Sequence, residues 1–285
     1  MAEIPHVRLN LSNRAENVLL VRQALAGLGE TIGLDAVELT DVSTAVSEAC
    51  NNVVVHAYSG DQGPLEVEVY GLEHAVEVVV RDHGIGIKPR EADPDELVGG
   101  IGLPVIRALS EQADFNDLPG GGTEVRMRFS TTQQHPLERL QPSTGASRGA
   151  ELVGLEDESP SVTVGPTRLA RTVIPRVLSA LAARAYFSTD RISDTQIVAD
   201  ALVAHADGAI DGRRLTVAVA VAPRDLRLRI GPLLEGRAAE VFEEAAVDGL
   251  GSVLGRLANE HQIYRLGSAE VLGLRIAERD PIGRA

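Results

Sequence analysis

The sequence lacks most features that would tie it to a membrane or an oxidising compartment. Its 285 residues include one cysteine, Cys50. A lone cysteine cannot form an internal disulfide, so we expect a reducing, cytoplasmic setting in which Cys50 is a small buried side chain. No apolar run is long enough to span a bilayer, and no charged-then-apolar leader with a cleavage site opens the sequence. We therefore expect neither a membrane anchor nor export.

Positive charge is also scarce. The formal net charge is −14, and Lys88 is the only lysine. Residues 1–130 carry 9 basic and 21 acidic side chains, whereas residues 131–285 carry 18 and 20. Binding to nucleic acid depends on clustered cations, so we expect no direct contact with DNA or RNA. A nucleotide triphosphate in the acidic half would need a divalent cation to offset the repulsion.

Hydrophobic periodicity in residues 1–130 predicts an α+β fold. A first strand precedes a helix capped by Ser12 or Asn13, and a second helix runs from near Asp35 to His56. The pattern then predicts a hairpin of strands at 65–70 and 75–80, a helix from 99 to about 112 and a last strand at 123–129. Because strands and helices do not alternate as simple βαβ units, a two-layer α/β sandwich fits better than a doubly wound sheet.

The second half repeats the order of the first after a linker. Residues 131–160 are rich in proline, serine, threonine and glutamine, which is typical of linkers. We predict domains at 1–130 and 161–285. Matching landmarks keep similar separations, since Glu48 and Asp200 are 152 positions apart and Glu124 and Glu270 are 146 apart. We interpret the second domain as a degenerate copy of the first.

Four short motifs in the first domain carry the chemistry. Their order in the sequence is Glu48-x-x-x-Asn52 on one helix face, Asp82-x-Gly84-x-Gly86 after a strand, Gly100-x-Gly102 before a helix and Gly122-Thr123 before the last strand. Taken singly, the first motif could be a solvated helix pair and Asp82 could cap a turn. Four motifs in order within one domain make those readings less favoured. His56, Asn51 and His83 are interpreted as structural or surface residues.

These motifs resemble the ATPase superfamily shared by gyrase, heat-shock chaperone, histidine kinase and mismatch-repair proteins, known as GHKL. Within it, residues 1–130 most resemble the bacterial anti-sigma-factor serine kinases. The resemblance implies a sandwich of the histidine-kinase-like ATPase, or Bergerat, type. With the repeat, it implies a tandem array whose second copy is degenerate.

The resemblance also implies roles for the motif residues and implies ATP and Mg²⁺ as cofactors. Asn52 would hold the magnesium, and Glu48 would be the general base that accepts a serine hydroxyl proton. Asp82 would accept a hydrogen bond from the adenine amino group, with the Gly122-Thr123 pair nearby. Gly84 and Gly86 would let the backbone pass close to the base and sugar. Gly100 and Gly102 would expose backbone N–H groups at a helix start, where they favour phosphate.

Two departures leave an alternative open. The segment between Ile87 and Gly102 is short and acidic, and Ile101 stands where kinases of this family often carry a basic residue. In the second copy, Asp200 would match Glu48 and Ala204 would match Asn52, so the nucleotide ligands are missing there. A nucleotide-gated binding module without kinase turnover is therefore the second hypothesis.

The partners implied are an anti-anti-sigma protein of the STAS type, a sigma factor, or both. Histidine kinase activity is disfavoured, because no helix pair with a phosphoacceptor histidine precedes the ATPase motifs. A gyrase-like clamp is disfavoured because the second half resembles a repeat rather than a transducer domain. Two fused copies could form an intramolecular pseudo-dimer, with a homodimer as the other possibility.

Overall fold

The computed structural model divides the chain into two compact units, Met1–Gln141 and Pro142–Ala285. It describes residues 4–86, 102–132, 159–206, 208–210, 214–244, 246–247 and 251–278. Domain limits at 130 and 160 stay predictions, since residues 133–158 lie outside the described residues. Each unit is treated by itself below.

The first unit is a five-stranded antiparallel sheet covered by helices. Its strands are hydrogen-bonded in the order β1-β2-β3-β5-β4. Helices α1 and α2 pack against each other, α1 against β1, and α2 against β3 and β5. The elements are β1 (Val7–Ser12), α1 (Asn17–Ile32), α2 (Ala36–Asn52), β2 (Pro64–Leu72), β3 (Ala75–Asp82), α3 (Gly102–Leu109), β4 (Gln112–Asp117) and β5 (Thr123–Ser130). The α+β sandwich expected from the sequence is confirmed.

Helix α2 forms where its cap and its apolar stripe predict it. The Asp35 side chain accepts hydrogen bonds from the backbone N–H groups of Val37 and Glu38, and Glu38 in turn accepts the N–H of Asp35. This capping box satisfies donors that the first helical turn leaves without partners. The stripe of Val42, Ala45, Val46 and Ala49 is buried. After Asn52 the helix changes to a π-helical turn, Val53–Ala57, that the periodicity did not predict.

Two local predictions were wrong. Helix α1 begins at Asn17, after Glu16, rather than beside Ser12 or Asn13. The Asn13 side chain instead bonds the turn before β2, donating to Asp61 O and accepting from Gly63 N. The third helix ends at Leu109, and a strand that was not predicted, β4, follows it. Every residue of this edge strand is exposed or half-buried. Its sequence therefore lacks the alternation of apolar and polar residues that predicts a strand with one face in the core.

The second unit has the same order of main strands as the first. These strands are hydrogen-bonded in the order β6-β7-β8-β12-β11, and β9 and β10 form a separate pair. The elements are β6 (Ser161–Val164), α4 (Thr167–Arg184), α5 (Thr189–Ala206), β7 (Leu215–Ala222), β8 (Asp225–Leu234), α6 (Arg237–Glu244), β9 (Ala246–Val247), β10 (Gly251–Ser252), α7 (Val253–Leu257), β11 (Glu260–Leu266) and β12 (Ala269–Ala277). Between β8 and α7 lie α6, β9 and β10, whereas most of the matching stretch of the first unit, between β3 and α3, lies outside the described residues.

Equivalent hydrogen bonds establish the register between the two copies. The N–H of Thr131 donates to His74 O in one unit, and the N–H of Glu278 donates to Arg224 O in the other. Helices α1 and α4 both end on a left-handed residue, Gly33 with φ 79° and Tyr186 with φ 59°. The repeat is thus seen in backbone geometry as well as in element order.

Candidate functional site

Glu48 and Asn52 lie one turn apart on α2, beside its buried stripe, and both are half-buried. The start of α3 approaches them closely. A β-carbon placed on Gly102 would lie 3.3 Å from Oε2 of Glu48 and 3.3 Å from Oδ1 of Asn52. A side chain at this point would crowd both oxygens, so a glycine allows the close approach of α3.

Asp82 ends β3 at a buried position, with 3% of its surface exposed. Its Oδ1 accepts the backbone N–H of Gly84 at 2.8 Å, which bends the chain into the glycine loop. This bond holds the carboxylate in a fixed orientation and leaves Oδ2 to accept a hydrogen bond from a ligand.

The glycines around Asp82 are required by close backbone contacts. A β-carbon on Gly84 would lie 2.0 Å from Ala57 O, and one on Gly122 would lie 2.1 Å from Asp82 O. Gly86 has φ +74°, and its β-carbon would approach Asp117 Oδ1 to 3.2 Å. Any side chain at the first two positions would force the backbones apart.

The predicted site residues therefore form two groups within the first unit. One group contains Glu48, Asn52 and Gly102. The other contains Asp82, Gly84, Gly86, Gly122 and Thr123, of which Thr123 is buried at the start of β5. The π-helical turn connects them, because it continues α2 from Asn52 to Ala57, whose carbonyl touches Gly84. Gly100 and Ile101 lie outside the described residues.

The oxygen chemistry of the first group fits magnesium with a nucleotide. Among the described residues, no group of three or more His, Cys, Asp or Glu side chains is placed to hold a metal ion. Mg²⁺ in nucleotide sites is usually held by one or two protein oxygens, with phosphate and water completing the shell. Asn52 Oδ1 beside Glu48 is such a donor set.

Burial removes Cys50 from the reactive groups. The side chain is fully buried on α2, as predicted, and this burial raises the pKa of its thiol to about 12. A thiol that stays protonated at neutral pH is a poor nucleophile. Cys50 therefore belongs to the core beneath Glu48 and Asn52.

Sequence reasoning missed the residues that hold the glycine loop. Ala57 O accepts the N–H of Ile85 at 2.9 Å, and the Tyr58 hydroxyl accepts the N–H of His83 at 2.9 Å. Both follow the predicted end of the helix at His56. Their only signal in the sequence is that they adjoin the motif helix, which does not indicate a contact with the loop after β3.

The second unit lacks these groups, and its register differs from the prediction by one residue. The buried residues Val198 and Leu202 of α5 correspond to Ala45 and Ala49 of α2. Ala201 therefore matches Glu48, and His205 matches Asn52, in place of the predicted Asp200 and Ala204. The Nδ1 atom of His205 lies 2.8 Å from Ala201 O, within its own helix.

In the second unit a strand continues where the glycine loop lies in the first. The two-residue hairpin turns after β2 and β7 place Pro232 where Asp82 stands in the first unit. Strand β8 runs past this point to Leu234, and α6 follows it. Glu270 pairs with Arg265 as Thr123 pairs with Asp117, and its buried carboxylate accepts the N–H of Ala238 in α6. A proline therefore replaces the carboxylate of Asp82.

The fold and the glycine-lined carboxylate–carboxamide site define a class of nucleotide-binding domain. Residues 11–129 match the family model described as "Histidine kinase-like ATPase domain". The chain is 30% identical over 127 residues to the serine-protein kinase RsbW of Bacillus thuringiensis, a match that covers 39% of this chain and 77% of the relative. The chain belongs to the histidine kinase-like ATPase family.

Two further comparisons gave the following matches. The chain is 27% identical over 129 residues to the anti-sigma F factor of Caldanaerobacter subterraneus subsp. tengcongensis, covering 42% of this chain and 90% of the relative. It is 21% identical to the crystal structure of the RsbU and RsbW domains of Rv1364c from Mycobacterium tuberculosis. That comparison has a TM-score of 0.35 and covers 45% of this chain and 32% of the other. Similarity to anti-sigma-factor serine kinases, predicted from the motifs, is confirmed.

Within the described residues, the structure contains no helix that is both long enough and apolar enough to cross a membrane.

Proposed function

We propose that the first unit binds Mg-ATP between α2, the glycine loop and the start of α3. The observation that carries the proposal is the close approach of Gly102, at the start of α3, to the side-chain oxygens of Glu48 and Asn52. Asn52 would hold the magnesium, and Oδ2 of Asp82 would accept a hydrogen bond from the adenine amino group. Gly102 also begins α3, where free backbone N–H groups and the helix dipole favour phosphate.

We further propose that the bound nucleotide is used to phosphorylate a serine of an anti-anti-sigma protein of the STAS type, and so to control a sigma factor. The names of the relatives support this partner class. Glu48 would accept the proton of the serine hydroxyl. The serine oxygen would form a bond to the γ-phosphorus as the bond between that phosphorus and ADP breaks. Bound magnesium would neutralise the charge on the phosphates.

The test of the kinase proposal is a pair of matched glutamate variants. Glu48→Gln removes the base and keeps the shape, so we expect phosphate transfer from labelled ATP to a STAS partner to fall by about 100-fold or more. ATP binding should persist. Glu73→Gln, in the hairpin turn beside His74, makes the same chemical change at an exposed position and should transfer at the wild-type rate. Equal labelling by Glu48→Gln and wild type would contradict the assignment.

A nucleotide-gated binding protein without turnover is the second candidate. It is favoured by the sequence at Ile101, where family kinases often carry a basic residue that would stabilise the transferred phosphoryl group. Its expected signature is tight ATP binding with no transfer to any partner offered. Rapid serine phosphorylation would exclude it. A cytoplasmic location and a monomeric pseudo-dimer remain predictions, the latter open to light scattering.

A further inference from the structure

We propose that Tyr58 is a positioning residue that sets the base-recognition half of the nucleotide site. This inference rests on the proposed ATP binding and assigns a role within it. Tyr58 directly follows the π-helical turn that extends α2, so its backbone moves with the helix that bears Asn52. Its side chain reaches the opposite group, the loop after Asp82.

The ring of Tyr58 packs so closely against the backbone of Gly63 that no side chain would fit there. A β-carbon on Gly63 would lie 2.1 Å from Cε1 of the ring and 2.3 Å from Cζ. The ring therefore rests directly on the backbone before β2. Contact with a rigid backbone leaves the hydroxyl little freedom to move.

The hydroxyl joins two backbone segments at once. It donates to Pro64 O at 2.6 Å and accepts the N–H of His83 at 2.9 Å. Tyr58 is half-buried. Burial is the main cause that raises the pKa of its phenol, and the nearby charge of Asp82 raises this pKa further. The hydroxyl therefore stays protonated at neutral pH, as the donor to Pro64 requires.

Three consecutive backbone N–H groups of the loop after Asp82 each have a hydrogen-bond acceptor. His83 donates to Tyr58, Gly84 donates to Asp82 Oδ1, and Ile85 donates to Ala57 O. Two of these three acceptors lie at the end of the helix that carries Glu48 and Asn52. The Ala57 and Tyr58 contacts thus join the loop after Asp82 to the end of the helix that carries Asn52.

Removing the hydroxyl should affect recognition of the adenine amino group more than general binding. ATP carries that amino group, whereas inosine triphosphate carries a carbonyl oxygen in its place. A carboxylate positioned to accept from the amino group discriminates against the oxygen. We expect the wild-type protein to prefer ATP and Tyr58→Phe to lose about fivefold or more of that preference, the size of one hydrogen bond.

The experiment measures the dissociation constants of ATP and of inosine triphosphate, in the presence of magnesium, for the wild-type chain and three variants. Tyr70→Phe is the matched control, because its hydroxyl also lies in the first unit but donates to Glu68, away from the loop. It should keep the wild-type ratio. Gly63→Ala, which displaces the ring, should repeat the loss seen with Tyr58→Phe.

The outcomes separate this inference from the proposed function. A wild-type protein that binds neither nucleotide would overturn ATP binding itself, and the inference with it. Wild-type preference for ATP that Tyr58→Phe retains would overturn only the positioning role. An equal loss for both nucleotides, or a variant that far-UV circular dichroism shows to be unfolded, would assign Tyr58 to the fold and would also overturn it.

Discussion

At the scale of single residues, the glycines of the candidate site serve as points of close backbone approach. Gly84 and Gly122 lie on either side of the Asp82 turn, and a β-carbon on either would fall about 2 Å from a carbonyl oxygen. Contacts of this kind cannot be relieved by rotating a side chain. The glycines are therefore required by packing, and the loop they form is a fixed wall of the site.

This argument predicts a large difference between two Gly→Ala changes with similar backbone strain. Gly122 has φ +98° and Gly60 has φ +97°, but nothing lies within 4 Å of a β-carbon on Gly60. We expect Gly60→Ala to cost about 1 kcal/mol of unfolding free energy from the left-handed backbone. Gly122→Ala should cost a further 1–3 kcal/mol or so, because Asp82 must move.

Urea denaturation followed by circular dichroism measures both values. The same loss of stability in the two variants would show that the backbone at Gly122 relaxes freely. It would also remove the argument that this glycine holds Asp82 in place.

At the scale of elements, the first sheet is joined by a cluster of charged residues across three strands. Glu68 of β2 lies between the core residues Val67 and Val69 in the sequence, and its own side chain is buried as well. Arg8 of β1 and Arg81 of β3 both form ion pairs with it, and the Tyr70 hydroxyl donates to it. Burial by itself raises the pKa of Glu68, but the bonds from Arg81 and Tyr70 and the two arginine charges lower it overall.

The lowered pKa predicts how stability depends on pH. A carboxylate with a lower pKa in the folded state than in the unfolded state stabilises the fold above the unfolded value of about 4.3. That contribution is lost as pH falls through the lowered folded value. We expect Glu68→Gln to be less stable than wild type by about 1–3 kcal/mol at pH 7, with the gap shrinking below about pH 4.

Denaturant titrations at several pH values test this prediction against an exposed control. Glu73→Gln changes an exposed side chain in the hairpin turn, whose contact with His74 should contribute under about 1 kcal/mol. A Glu68→Gln gap that stays constant down to pH 3 would show that packing, and not charge, accounts for the effect.

At the scale of the whole molecule, the two units share a backbone plan but differ in the site. In the second unit, Ala201 and His205 replace the acid and the amide, and Pro232 stands at the position of Asp82. The side chains proposed to hold the nucleotide are thus missing from it.

We therefore predict one nucleotide per chain. Isothermal titration with ATP and magnesium should give a stoichiometry of about one, and Asp82→Asn should lower the affinity by about tenfold or more, the cost of a charged hydrogen bond. Asp225→Asn, at the first residue of β8 in the second unit, is the control and should titrate like wild type. A stoichiometry of about two for the wild-type protein would show a second site and would contradict the prediction.

The sequence by itself determined the class of fold, the repeat and the motif residues. Helix and strand periods, a capping box and glycine spacings are local properties, so they can be read without knowing what lies nearby in space. The sequence did not predict the polar edge strand β4 or the π-helical turn, because their residue patterns are weak and tertiary packing decides their conformation. A one-residue error in the second repeat had the same origin, since small loop changes shift the count while buried positions keep the true register.

Only the tertiary structure decided which residues meet. It brought Gly102 against Glu48 and Asn52, it connected Tyr58 to the loop after Asp82, and it joined Glu270 of the second unit to α6. Each of these contacts joins segments far apart in the chain. Such contacts depend on the shape of the packed core, which no local pattern of residues records.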